Sequence, residues 1–243
     1  MQSQTGGHII PAEQKSYNER LFKKGIRKYF HEARFYWLKK VLGQLKINSG
    51  EVIELGCHDG KLIRYLPFTP SIYTGYDANW ENGIDLAKEE WKHHLEFHFH
   101  VCSDPAQFNP GLKKYELGVC METMEHLPAA DLAAYISKLR QSVSQYLFIT
   151  VPNEKGPVFL LKYVMKRLFL KVDEPYTWRE LLAASVGKTE KVERNEYGHK
   201  GFDYEKLLPF IAADFTIVSI SPIPFSFLPA WMNFSVGIIA QPK

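Results

Sequence analysis

Short apolar runs alternate with helical patterns over the first two thirds of the chain. Five runs rich in β-branched and aromatic side chains predict strands: residues 51–55, 72–76, 95–101, 117–121 and 146–151. Segments with apolar residues at helical spacing separate most of them: residues 61–66, 82–91 and 129–143. This rhythm is typical of an α/β fold in which a parallel, doubly wound sheet carries helices on both faces.

The N-terminal part and the part after the fifth strand depart from this rhythm. Residues 13–46 predict an N-terminal helical cap, with Gly25 or Gly43 as breaks. Residues 153–200 contain two helical patterns and no clear strand. We therefore expect this second segment to form a helical insertion over the C-terminal edge of the sheet.

The last part of the chain predicts how the sheet is completed. A helical pattern at residues 203–212 precedes two apolar runs, residues 215–221 and 234–240, which no helix separates. Two consecutive strands of this kind predict an antiparallel hairpin. The expected architecture is thus a single domain over residues 1–243, with a Rossmann-like sheet of seven strands.

Composition and charge narrow the class of protein. Apolar residues make up 45% of the chain and charged residues 23%, which excludes a disordered or collagen-like chain. The net charge of +3 is too small to indicate nucleic-acid binding by itself, so a nucleic-acid partner is disfavoured but not excluded. The three cysteines lie in or beside apolar runs without a CxxC pair, and the N-terminus has no apolar signal region. Buried thiols and a cytoplasmic location are expected.

A glycine-containing turn follows the first predicted strand and opens the next helical segment. Its sequence is Glu54-Leu55-Gly56-Cys57-His58-Asp59-Gly60, and Asp77 ends the second strand, 21 residues beyond Gly56. Glycine lets the backbone approach a ligand closely, and an acidic residue at the end of the second strand binds ribose hydroxyls in such folds. The dinucleotide pattern GxGxxG is not met, because positions 58 and 61 are His and Lys.

The same turn resembles the ExGxGxG loop of class I S-adenosylmethionine-dependent methyltransferases, with His58 in place of the middle glycine. The resemblance covers nearly the whole chain from about residue 30. It implies S-adenosyl-L-methionine as cofactor, with Asp77 on the ribose. It also implies cofactor contacts from residues at the ends of the first, third and fourth strands: Glu54, Gly56, Cys57, Gly60, Asp104 and Met121.

Two carboxylates and a histidine follow the fourth predicted strand. Glu122, Glu125 and His126 are spaced i, i+3 and i+4, which places them on one face of a helical turn. Such a face can hold a divalent cation, either Mg²⁺, Mn²⁺ or Zn²⁺, since carboxylate and imidazole ligands suit all three. The same residues can also form a helix-capping pair with a solvated histidine.

The segment CMETMEHLP resembles that of ubiquinone-biosynthesis O-methyltransferases, which carry the same Glu-x-x-Glu-His. Small-RNA 2′-O-methyltransferases use this pattern, with a later histidine, to hold a metal against a ribose hydroxyl. The resemblance implies Glu122, Glu125, His126 and, less firmly, His199 as metal ligands. Alternatively, Glu125, His126 or His199 acts directly as the catalytic base.

The nature of the methyl acceptor is left open by the sequence. Basic residues among aromatics in the N-terminal cap and in the insertion suit an anionic or amphiphilic acceptor, such as a glycan, a quinol or phenol, or another small metabolite. Residues 157–170 are apolar on one side and basic on another. They either pack on the core or make a peripheral contact with a membrane. The alternative functions are an RNA ribose 2′-O-methyltransferase, an NAD-binding protein and a non-catalytic domain.

Overall fold

One seven-stranded sheet forms the centre of the computed structural model, which describes residues 26–169 and 175–243. The strands are β1 (Glu51–Leu55), β2 (Ile72–Asp77), β3 (Phe97–Val101), β4 (Tyr115–Met121), β5 (Val143–Pro152), β6 (Phe215–Ile223) and β7 (Ser235–Pro242). Their spatial order is β3-β2-β1-β4-β5-β7-β6. The first five strands run parallel, and β7 pairs antiparallel with both β5 and β6. The predicted doubly wound sheet with its closing hairpin is confirmed.

Most of the helices lie where the sequence pattern predicts them. Within the described residues they are α1 (Ile26–Gln44), α2 (Gly83–Glu90), α3 (Ala129–Ser142), α4 (Pro157–Phe169), α5 (Trp178–Ser185) and α6 (Tyr204–Asp214). Helices α4 and α5 are the two helices of the predicted insertion. Residues 13–25 of the predicted N-terminal cap and residue 170 of the predicted amphipathic segment lie outside the described residues.

Both faces of the sheet are buried along β1, β2, β4 and β5, which explains why these strands are mostly apolar. The edge strands β3 and β6 instead alternate buried positions with more exposed ones. On one face Ile53 and Leu55 of β1 pack in a core with side chains of α3 and α6, such as Leu139 and Ile211. On the other face Val52 packs with side chains of α1 and α2. Cys57, Cys102 and Cys120 are all buried and free, as predicted.

Two local expectations are wrong. Residues 61–66 do not form an α-helix but a 3₁₀ turn, Lys61–Tyr65, because Pro67 favours an extended backbone at Leu66. Leu95 lies outside the third strand and is 87% exposed, since a turn closed by the Phe97 amide and the His94 carbonyl precedes the strand. The first helix continues through Gly43 to Gln44, and the alternative break, Gly25, lies outside the described residues.

The strand order places the glycine-containing turn beside the acidic segment. β1 lies between β2 and β4, so the carboxyl ends of these three parallel strands meet at one edge of the sheet. The chain leaves β1 towards one face and β4 towards the other, and ligands bind at such a reversal in open α/β sheets. The predicted site residues all lie at or near this edge.

Candidate active site

The turn after β1 approaches both neighbouring strands closely. The amide of Gly56 donates a hydrogen bond to the carbonyl of Tyr76, 2.7 Å away. Gly56 has a φ of 84°, and a Cβ there would lie 1.9 Å from Oγ1 of Thr123, in the loop after β4. Both the backbone conformation and the close approach therefore require glycine at this position. Gly60 has a left-handed backbone as well, with a φ of 69°.

His58 occupies the position of the missing glycine and adopts a left-handed backbone there. Its φ is 45°, in the left-handed region where a non-glycine residue is uncommon. Its amide donates a hydrogen bond of 3.1 Å to Oδ2 of Asp77, and its ring packs directly against Gly83 at the start of α2. A side chain at position 83 would leave no room for this ring, so Gly83 accommodates the departure from the glycine pattern.

Asp77 organises the end of β2. Besides the His58 amide, its carboxylate accepts a hydrogen bond of 2.9 Å from the amide of Asn79 through Oδ1. The residue is half-buried at the carboxyl end of β2. The acid predicted to hold the ribose thus also fixes the two loops on either side of it.

The other residues predicted to contact the cofactor differ in their burial and in their hydrogen bonds. Glu54 is buried and accepts a hydrogen bond from the hydroxyl of Tyr73; burial raises its pKa to about 8. The side chains of Cys57 and Met121 are buried in the core on the α1 face. The carboxylate of Asp104 caps a turn: its Oδ1 accepts a hydrogen bond of 2.8 Å from the amide of Ala106.

Glu125, His126 and His199 form a compact cluster beside this crevice. Each side chain offers one ligand atom, and the three atoms lie within 4.8 Å of one another. The ring centroids of the two histidines are 4.9 Å apart, although the residues are 73 positions apart in the chain. The structure therefore brings together three of the four predicted metal ligands.

Glu122 is the predicted ligand that stays outside this cluster. Residues Met124–His126 form a 3₁₀ turn, whereas Glu122 has a φ of 50° and precedes the turn. Its amide is tied to the carbonyl of Thr150 on β5 by a hydrogen bond of 2.8 Å. The expectation that Glu122, Glu125 and His126 share one helical face is wrong, because the chain changes direction between the strand and the turn.

His126 has its ring fixed by the insertion. Nδ1 lies 2.8 Å from the carbonyl oxygen of Tyr197, and since a carbonyl can only accept, Nδ1 carries the proton. Nε2 faces Glu125, 3.8 Å from Oε1. Burial and the neighbouring His199 lower the pKa of His126, which favours the neutral ring with a lone pair on Nε2.

His199 is oriented by a residue that the sequence analysis missed. Nδ1 of His199 lies 3.5 Å from Oε1 of Glu154, and Glu154 is also paired with Lys162 of α4. Although burial alone would raise it, the pKa of Glu154 is held at about 2 by the charge of Lys162 and the contact with His199. Burial opposes a charge on His199 too, but Glu154 raises the pKa of that ring.

Two arginines were also missed. Nη2 of Arg194 donates a hydrogen bond of 2.5 Å to the carbonyl of Glu125, and Nη1 donates one of 2.6 Å to the carbonyl of Gly198. Arg194 thereby ties the loop carrying His199 to the turn after β4. Burial raises the pKa values of Glu54 and Glu125, and the charge of Arg34, on α1, opposes part of this rise. Nε of Arg34 is buried without a hydrogen-bond partner among the described residues.

The sequence held one signal for these residues. Glu154 follows the end of β5 by two positions, so the rule that ligand-binding residues come after strand ends would have selected it. Arg34 and Arg194 carry no such signal, because their roles come from helix packing and a long loop.

Glu125 has an environment that suits a bound cation. Its side chain is fully buried, and neither carboxylate oxygen has a hydrogen-bond partner among the described residues. Burial, followed by the charge of Glu122, raises its pKa to about 8. A buried carboxylate without a partner is costly, and a cation held with two imidazoles would offset that cost.

Comparison with known proteins identifies the family. A family model described as a methyltransferase domain matches residues 26–198, more than half of the chain. The chain belongs to this methyltransferase family. It is an S-adenosylmethionine-dependent methyltransferase, the class that the sequence resemblance implies. A ubiquinone biosynthesis O-methyltransferase of Coxiella burnetii is 28% identical over 104 residues, which is 43% of this chain and 44% of the relative. The match thus spans less than half the length of that relative.

Solved structures share the methyltransferase fold over nearly the whole chain. An S-adenosylmethionine-dependent methyltransferase from Clostridium acetobutylicum has a TM-score of 0.61 at 12% identity, covering 93% of this chain and 99% of its own. Magnesium protoporphyrin IX methyltransferase from Synechocystis PCC 6803, solved with bound S-adenosylhomocysteine, has a TM-score of 0.55 at 19% identity, covering 93% and 92%. At such identities these likenesses show the fold alone.

Proposed function

We propose that this methyltransferase transfers the methyl group to a hydroxyl oxygen, with a divalent cation held by Glu125, His126 and His199. The observation that carries the proposal is the cluster itself: three ligand atoms within 4.8 Å, one of them on a buried carboxylate without a hydrogen-bond partner. The fixed proton on Nδ1 of His126 supports it further. A metal-binding histidine usually donates its other ring nitrogen to a carbonyl or carboxylate, as Nδ1 does here to Tyr197.

In this proposal the cofactor is held at the ends of β1, β2 and β4. Asp77 binds the ribose hydroxyls, and the backbone of Gly56, Cys57 and Gly60 allows close approach in the turn after β1. Glu54 and Met121 border the same crevice, and Asp104 lies at the end of β3. Because Oγ1 of Thr123 packs on Gly56, a ligand in this turn lies next to the acidic segment.

The cluster would supply the chemistry that a hydroxyl acceptor needs. Sugar hydroxyls are almost fully protonated at neutral pH and phenols mostly so, and both are weak nucleophiles in that form. A bound cation lowers the pKa of the acceptor hydroxyl and fixes its oxygen. Glu125 and the two histidines orient this oxygen, while the turn after β1 holds the cofactor beside it.

The acceptor we propose is a hydroxyl of a glycan, a quinol or phenol, or another small metabolite. The curated relative is an O-methyltransferase of ubiquinone biosynthesis, which supports an oxygen nucleophile on a small acceptor. A small net charge of +3 supports a small molecule rather than RNA, because nucleic-acid affinity depends on many phosphate contacts.

The deciding experiment combines cation removal with a panel of acceptors. The protein is stripped with a chelator, shown to be metal-free by elemental analysis, and incubated with S-adenosylmethionine and catechols, quinols or glycans. Turnover should require added Mg²⁺, Mn²⁺ or Zn²⁺ and should return fully when the ion is restored. Full activity of the metal-free protein would contradict the proposal and leave His126 or His199 as the catalytic base. Methylation of amines in preference to hydroxyls would contradict the choice of acceptor.

A further inference from the structure

Helix α4 exposes an apolar face to solvent. Leu161, Val164, Met165 and Leu168 are 59%, 41%, 48% and 68% exposed. At 100° per residue these four positions fall within an arc of about 100°, so they form one continuous stripe along the helix. Isolated exposed leucines are ordinary on a protein surface, whereas a stripe over two helical turns marks an interaction surface.

This stripe is not the face by which α4 packs on the protein. Phe159 and Tyr163 are buried on the opposite side of the helix, in a small core with Leu181 and Ala184 of α5. Helix α4 is therefore apolar on two sides, and the residues that the structure describes cover only one of them. The sequence pattern is compatible either with packing on the core or with a membrane contact, and both are possible here because the packed face and the exposed face are different.

The charges on α4 are all of one sign. The helix contains Lys162, Lys166 and Arg167 and no acidic residue. Lys166 and Arg167 are exposed and lie outside the apolar stripe, at about 140° and 240° on a wheel where Leu161 is at 0°. Arg167 borders the stripe, whereas Lys166 lies near the direction of the packed Phe159. An apolar face on a helix whose charged side chains are all basic is the pattern of helices that lie in the interface of an anionic bilayer.

We propose that the α4 stripe docks on the surface of a membrane that contains anionic lipids. Leu161, Val164, Met165 and Leu168 would enter the boundary of the acyl chains, and Lys166 and Arg167 would contact the headgroups. No helix among residues 26–169 and 175–243 is long and apolar enough to cross a bilayer, so the contact is at the surface. Lys162 connects this helix to the active site, since it pairs with Glu154, which contacts His199.

Vesicle sedimentation tests the proposal. The full chain is mixed with vesicles of phosphatidylcholine alone or of phosphatidylcholine with phosphatidylglycerol. It should sediment with the anionic vesicles, and high salt should release part of it. The double variant Leu161→Ser/Leu168→Ser and the double variant Lys166→Glu/Arg167→Glu should each bind at least tenfold more weakly.

The chain offers matched controls away from this helix. Leu112 is fully exposed and Lys114 is exposed nearby, between β3 and β4, so Leu112→Ser and Lys114→Glu should bind vesicles as the unaltered protein does. Each variant is first checked for folding by its affinity for S-adenosylhomocysteine, which the stripe does not touch.

Several results would contradict the proposal that this stripe is a membrane-docking surface. The first is failure of the unaltered protein to sediment with anionic vesicles, and the second is binding by the α4 variants as strong as that of the controls. Equal sedimentation with neutral vesicles would overturn the role of the basic side chains Lys166 and Arg167. A dimer in analytical ultracentrifugation that the Leu161→Ser/Leu168→Ser variant abolishes, without vesicle binding, would assign the stripe to a second copy instead.

Discussion

At the scale of single residues, the neighbouring acids Glu125 and Glu122 differ in their position relative to the two histidines. Glu125 lies in the cluster with both histidines, and Glu122 does not. We expect Glu125→Ala to reduce turnover by at least about a hundredfold and to leave the affinity for S-adenosylhomocysteine unchanged, because the cofactor is held elsewhere. Glu122→Ala is the matched control and should cost far less turnover. Equal losses of turnover in the two variants, measured by initial rates, would contradict the different roles of Glu125 and Glu122.

Glu154 acts on the site through His199. Replacing it by Gln keeps its size but removes the charge that holds the His199 ring. Residues that orient a metal-binding histidine typically contribute about 10–100-fold in affinity for the ion or in activity. Mn²⁺ titration by calorimetry should therefore show a loss of at least tenfold in Glu154→Gln. Glu196→Gln, an exposed acid near the same loop, should show none. Unchanged Mn²⁺ affinity in Glu154→Gln would contradict the positioning role.

Glu54 makes stability depend on pH. Its pKa is about 8 in the folded protein and 4.5 in the unfolded chain, so the folded state keeps a proton that the unfolded state releases. The stabilisation from this proton is complete below pH 4.5 and is lost as the pH rises through 8. Between these values the free energy of unfolding should fall by up to ~1.4 kcal/mol per pH unit relative to Glu54→Gln. Urea unfolding of both proteins across this range measures the difference, and parallel pH profiles would refute it.

At the scale of whole elements, α1 is fixed on the sheet by a tight contact with β7. A Cβ on Gly237 would lie 2.4 Å from the ring of Trp37, whereas a Cβ on Gly43 would have no atom within 4 Å. Gly237→Ala should destabilise the protein by about 1–3 kcal/mol, since the buried indole must move. Gly43→Ala, within the same helix, should stabilise it by about 0.5–1 kcal/mol. Thermal unfolding of the pair checks both signs.

The same elements show what the sequence can and cannot predict. Strands β1, β2, β4 and β5 could be predicted because a strand buried on both faces must be apolar throughout. Residues 61–66 and 95–96 were misassigned because a few apolar side chains satisfy a helical, strand or turn pattern equally well. Glu125 and His126 could be predicted from their spacing after β4. The position of Glu154 after β5 marks it as a candidate, but its contact with His199 could not be predicted. Arg194 could not be predicted either, because both contacts depend on how the insertion folds back.

At the scale of the molecule, the proposed cofactor site and the proposed cation site lie on different parts of the sheet and meet at one edge. The turn after β1 and Asp77 belong to the half of the sheet formed by β1, β2 and β3. The cluster combines the turn after β4 with the insertion after β5. In the insertion, Tyr197 fixes the ring of His126, His199 lies against that ring, and Arg194 holds the carbonyl of Glu125. The loop of residues 194–200 therefore completes the cluster. Binding of a cation should accordingly stabilise the insertion, while binding of the cofactor should stabilise the sheet.

Ligand-dependent unfolding tests this division in one set of measurements. A ligand at about a hundred times its Kd stabilises a protein by about 2.7 kcal/mol, or roughly 5–10 °C in Tm for a chain of this size. S-adenosylhomocysteine should produce such a rise and NAD should not. Asp77→Asn should lose much of the rise, because hydrogen bonds to a charged group contribute about 1.5–3 kcal/mol each, so the affinity falls at least about tenfold. Glu125→Ala should keep the response to S-adenosylhomocysteine and lose the response to Mn²⁺. If Asp77→Asn responds as the unaltered protein does, the ribose contact is wrong, and if Glu125→Ala still responds to Mn²⁺, the ion binds elsewhere.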